Sequence, residues 1–142
     1  MFDDVVTLFC RFGPARAEAF QRAVVRGVAL DGARAANSRA GYAKNADRAL
    51  LYIPFCAAGG YVSPAAWAAL DAQGRAGRWT LRPGDVFTSG EAPECGESPA
   101  QQMARGGEWY VVTTVDEKRA DSPMAHFEVG GGRTYRRGGG VA

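Results

Sequence analysis

The residues able to do acid–base, nucleophilic or metal chemistry are few and scattered. The single histidine, His126, stands between Ala125 and Phe127 in a strand-like run. Ser-His or Cys-His catalysis needs such a residue beside an activated nucleophile. No nucleophile here sits in a recognisable elbow, and Cys10 lies inside an apolar run. His126 therefore reads as a hydrogen-bonded structural residue. Cys10, Cys56, Cys95 and His126 offer donor atoms that suit zinc, but no two form a close ligand pair, and no metal is expected. Asp85 and Glu91 flank one strand-like run and would lie about 20 Å apart, too far for paired carboxylate chemistry. The runs Gly130–Gly132 and Gly138–Gly140 lack the following Lys-Ser/Thr and the helix of a phosphate loop. Trp79, Trp109 and Tyr110 are the residue types of a base-stacking platform. On the strands of a small barrel, such aromatics more often fill the core. The expectation is a protein that is not an enzyme and uses no cofactor.

The elements that must position these residues centre on Trp79 to Glu91, which reads WTLRPGDVFTSGE. Pro83 presets φ at the first central turn position, and Gly84 can take φ > 0 at the second, as a type II turn requires. Asp85 reads as a turn residue. Trp79 and Leu81 precede the turn on one face, and Val86, Phe87 and Thr88 follow it with β-favouring side chains.

Asp4–Phe12 reads as a strand ended by Gly13-Pro14. Phe20–Leu30 reads as a second strand, with Val24, Val28 and Leu30 on one face, Arg26 the exception, and Gly27 marking a bulge. Ala49–Phe55 reads as a buried strand ended by Pro54. Ser63 and Pro64 are an N-cap and first-position pair opening a short helix with Trp67 and Leu70 on one face. Ala72–Gly77 reads as a polar linker. Ser98-Pro99 repeats the cap signal and opens a second helix to about Arg105, stopped by Gly106-Gly107. Glu108–Val115 is the clearest strand, Asp116–Pro123 a charged loop and Ala125–Val129 the last strand. Short strands without a βαβ rhythm or repeat predict a mainly β protein, a small antiparallel β-barrel or sandwich with two short helices in connections. Residues 1–129 form one barrel-like domain in this reading, and 130–142 a flexible Gly/Arg-rich tail with Arg133, Arg136 and Arg137.

Composition narrows the function classes. The chain has 142 residues, enough for one core, with 17 Lys and Arg against 15 Asp and Glu. A net charge of +2 with both signs interspersed is not that of a dedicated nucleic-acid binder. Three widely spaced cysteines do not form a secreted disulfide framework. Met-Phe-Asp-Asp lacks the positive region of a signal peptide, and no window approaches eighteen apolar residues. The expected setting is a reducing cytosol or a particle assembled in one, with no membrane. Asp31–Asp47 stands apart: it has few large apolar residues and carries Arg34, Arg39 and Lys44, with Arg48 just after. An irregular stretch of this length inside a domain is often functional, and otherwise is a solvated loop with incidental charge.

Taken together, Asp4-Val-Val-Thr-Leu-Phe9, Leu50-Leu-Tyr-Ile-Pro54, the Trp79–Glu91 turn, Tyr110-Val-Val-Thr-Thr-Val-Asp116 and His126-Phe-Glu-Val129 resemble the small structural proteins of tailed-phage and prophage head modules. More loosely, the chain is similar to the head-closure, or stopper, proteins of the neck. The resemblance covers roughly Asp4 to Val129. It implies a β-barrel that forms a homo-oligomeric ring between portal or adaptor and tail. It also implies a place in the virion neck after synthesis in the bacterial host cytoplasm. Arg34, Arg39, Lys44 and Arg48 would then line a DNA channel, touching packaged double-stranded DNA without sequence preference, or pack on the neighbouring subunit. An exposed edge of Asp4–Phe12 or Ala125–Val129 would serve for strand addition. The alternatives are a stand-alone nucleic-acid-binding barrel, or a tail-completion or minor capsid protein.

Overall fold

Val6, Leu8 and Cys10 recur at alternate positions of the first strand and are all buried in one core, while Phe9 joins a second cluster outside it. Period-two alternation of this kind lets a sheet curl around its own apolar face. The computed structural model describes residues 3–13, 19–31, 48–92, 109–118 and 125–132. Its strands are β1 (Asp4–Phe12), β2 (Ala19–Asp31), β3 (Arg48–Pro54), β4 (Val86–Ser89), β5 (Trp109–Lys118) and β6 (His126–Gly132). They close into an antiparallel barrel in the order β1-β2-β3-β6-β5-β4. The interior is filled by Val6, Leu8, Val28, Leu51, Ile53, Phe87, Tyr110, Val112, Phe127 and Val129. Outside the barrel wall, Phe9, Val86 and Val111 are buried with Phe20, Ala92 and Trp109 packed against them.

The β3–β4 connection caps one barrel end. It contains a 3-10 turn (Phe55–Ala57), helix α1 (Pro64–Ala69) and helix α2 (Ala72–Arg75). Ser63 caps α1, its Oγ accepting from the Ala66 N–H at 3.2 Å, and Pro64 fills the first turn as expected. Trp67 is fully buried. The expected polar linker from Ala72 instead forms α2, because the Asp71 carboxylate accepts from the Gly74 N–H at 2.7 Å and caps it. The expected helix from Ser98 lies outside the described residues. No described helix is long and apolar enough to cross a membrane.

Several expectations change in register and extent. Gly27 (φ 80°) marks a bulge beside the register shift between β1 and β2. The bulge resets the alternation, so Val25 and Val28 are the buried valines of β2, not Val24 and Val28. Trp79 and Leu81 are buried, but Trp79 makes only an isolated bridge to Tyr61 and neither belongs to a strand. β5 continues through Asp116 to Lys118, because β6 pairs with it along that length. β6 in turn runs past Val129 through Gly130–Gly132, pairing with β3 on one side and β5 on the other. The glycines belong to the wall. A Cβ on Gly131 would lie 2.7 Å from the Phe87 ring and 2.9 Å from Tyr110, so the missing side chain makes room for two core aromatics.

Candidate functional site

The Pro83-Gly84 turn has the expected type II form. Gly84 has φ 97°, and the Asp85 N–H donates to the Arg82 carbonyl at 3.2 Å. Asp85 is more than the turn residue the sequence suggested. It is 2% exposed and lies between two arginines. Its Oδ1 accepts from the Arg11 backbone N–H at 3.0 Å, and its Oδ2 from Arg82 Nε at 3.3 Å. Arg11 Nη2 donates to the Pro83 carbonyl at 3.1 Å. The Arg11 carbonyl accepts from Trp67 Nε1 at 3.0 Å and also from Arg82 Nη2. Gly84 and Asp85 meanwhile exchange backbone hydrogen bonds with Val112 at 2.9 and 2.7 Å. The cluster thus joins β1, β5, α1 and the turn. Burial raises the Asp85 pKa, and Arg82, the Arg11 N–H and the Arg11 charge work against that rise. The two arginines and a main-chain donor all face this one carboxylate, which makes it a structural ion cluster.

Among the described residues, the other chemistry-bearing side chains do not converge. His126, on the first position of β6, is half-buried, with Nε2 3.1 Å from Glu128 Oε2 and its ring tilted against Tyr52. Cys10 is fully buried, and its thiol donates to the Thr80 carbonyl at 3.3 Å. Burial pushes that thiol's pKa far up, with Asp85 adding to the effect, which favours the protonated thiol. Cys56 is exposed, and Cys95 lies outside the described residues. No group of metal-binding side chains occurs among the described residues. Trp79 and Tyr110 are core residues, whereas Trp109 stacks on Phe9 outside the barrel, so the three form no common platform.

Of the basic positions singled out from sequence, Arg48 begins β3 and is exposed, opposite Gly132 in the register. Arg34, Arg39 and Lys44 lie outside the described residues. The antiparallel order places Asp31, Arg48, Trp109 and Gly132 at the barrel end opposite the cap.

The surface also carries charges that the sequence reading missed. On β2, Arg22 and Arg26 approach Glu91 at 3.9 and 2.6 Å, and Arg22 Nε donates to the Ala92 carbonyl. On β5 and β6, Asp116 lies opposite Glu128, and Lys118 approaches Asp116 at 3.4 Å. The spacing Arg22-x-Val24-x-Arg26 was the available signal: three alternate residues with two charges mark an outward face. No curated protein and no solved structure matches the chain. A family model described as "Family of unknown function (DUF6751)" spans residues 1–132, and the chain belongs to that family.

Proposed function

We propose that the protein is a structural component of a tailed-phage or phage-like particle, a ring subunit at head closure or head–tail connection. The observation that carries this reading beyond the sequence resemblance is the closed barrel with a packed interior. Among the described residues the buried carboxylate serves its own turn, which directs this reading to the surface. A subunit of this kind works through complementary faces.

The register adds support for a contact with DNA. Arg48 pairs with Gly132, so the segment bearing Arg34, Arg39 and Lys44 and the tail bearing Arg133, Arg136 and Arg137 adjoin neighbouring strand ends. In the ring these cations face the packaged duplex. Non-specific backbone contact needs positive charge without base readout, and it weakens with salt. The partners are further copies of the chain, the portal or adaptor ring and the tail.

The test is the mass of the purified protein alone and mixed with portal rings or assembled particles. Incorporation at a fixed ring stoichiometry is expected. Replacing Arg34, Arg39 and Lys44 with Ser lowers DNA retention while leaving the barrel folded. A protein that never joins particles and binds single-stranded DNA instead would replace this reading with that of a stand-alone nucleic-acid barrel.

A further inference from the structure

Part of the connection that caps the barrel is bonded to itself. The Trp79 N–H donates to the Gly60 carbonyl at 3.0 Å, and the Val62 N–H to the Trp79 carbonyl at 2.9 Å. A Cβ on Gly60 would lie 2.8 Å from the Gly77 carbonyl oxygen, so the two sides of this neck meet because Gly60 has no side chain. Gly77, at φ 74°, turns the chain back into the neck. Residues 63–78, which include α1 and α2, thus form a compact loop with close ends, the form of an Ω-loop. The barrel wall closes through its six strands without them. Among the described residues, two polar side chains of the loop reach the wall, both at the end of β1. Trp67 Nε1 donates to the Arg11 carbonyl at 3.0 Å. The Arg75 guanidinium lies 4.6 Å from the centre of the Phe12 ring and 5.5 Å from that of Trp67.

We infer that this loop is a lid, which swings off the barrel end on its neck and carries Trp67 and Leu70 out while the wall and Trp79 stay in place. Three features favour such a motion. The hydrogen bonds of α1 and α2 are local, including the Ser63 and Asp71 caps, and travel with the loop. The Arg11 carbonyl keeps a donor when Trp67 leaves, because Arg82 Nη2 also bonds to it. Arg75 Nε is buried without an acceptor in the closed form, and water satisfies it in the open one. Burial of the whole Trp67 side chain opposes these and holds the lid shut. Local units with their own bonding open below the free energy of global unfolding. The open form carries an exposed indole at the capped end, which the closed form hides. The lid does not depend on the reading of the protein as a ring subunit, and a failure to assemble leaves it standing.

The test follows hydrogen exchange of the Trp67 indole Nε1–H by NMR in the full chain, over a series of low urea concentrations. Its signal is assigned by its loss in Trp67→Phe. Protection about ten-fold or more below that of the slowest backbone amides of β3 and β6 is expected, with less than half their dependence on urea. Protection and urea dependence equal to those of the wall amides overturn the lid. A second variant, Phe12→Leu, keeps an apolar side chain beneath Arg75 and removes the ring. It is expected to speed Trp67 Nε1–H exchange about five-fold and to leave the wall amides unchanged. An equal change in both sets means that loop and wall open together, and likewise overturns the lid.

Discussion

Asp85 and Glu91 flank β4, and each sits between two arginines. Asp85 has Arg11 and Arg82, and Glu91 has Arg22 and Arg26. The chemistry is the same and the setting opposite: the Asp85 side chain is 3% exposed and that of Glu91 54%. Removing one partner of a buried pair strands the rest without water, whereas an exposed pair gains little in high dielectric. Sequence cannot separate the two clusters, because burial is decided by the folding-over of α1 and the turn. The comparison teaches that the first cluster is built into the barrel cap, while the second stays at the surface in water.

The sharpest way to break the comparison is Asp85→Ala. It leaves the Arg11 N–H without its carboxylate acceptor and both guanidinium groups without their counter-charge, and is expected to cost about 3–5 kcal/mol in a urea titration. A cost below about 1 kcal/mol would put Asp85 in the same class as Glu91. Next is Gly131→Ala, away from both clusters. Its Cβ enters the space of Phe87 and Tyr110 and is expected to cost about 1–3 kcal/mol, by overpacking.

A smaller effect comes from pH. Burial raises the Asp85 pKa in the fold above its unfolded value, so the folded state holds that proton more tightly. The contribution of this group is fully present below the unfolded pKa and is lost as pH rises through the folded one. Asp85→Asn keeps an acceptor oxygen but cannot titrate. The stability gap between wild type and this variant is therefore expected to narrow as pH rises from about 4 toward neutrality. A gap that widens would mean the arginines outweigh burial. The smallest effect is Glu91→Gln, expected to change stability by less than about 1 kcal/mol, with the difference fading further in high salt.

Much of the wall was legible. Asp4–Phe12 was read at its observed bounds, and β2 and β3 within a residue at each end, because β-branched and aromatic runs bounded by Gly and Pro carry their own limits. The Pro83-Gly84 turn and the Ser63 cap were legible because each depends on local backbone chemistry alone. What depended on distant partners was not. Gly130–Gly132 resembled a loose tail until Phe87 and Tyr110 supplied the reason for an absent side chain. Nor are the edges those the sequence suggested. β1 lies between β2 and β4, and β6 between β3 and β5, so neither is an outer strand. The shortest ladders among the described strands are those of β2 with β3 and of β4 with β5, three residue pairs each.

The position of β6 also bears on how the chain is made. β6 is the last of the described strands in sequence, yet it fills the gap between β3 and β5. A nascent chain that has emerged only as far as Lys118 holds the strands of one open sheet, with β3 and β5 at its two edges and nothing to close them. At roughly 5–20 residues per second, the ribosome leaves those edges open for a second or so before His126–Gly132 arrives. Translation arrested in that interval would release a chain with two exposed sheet edges, the form most prone to pair with its neighbours.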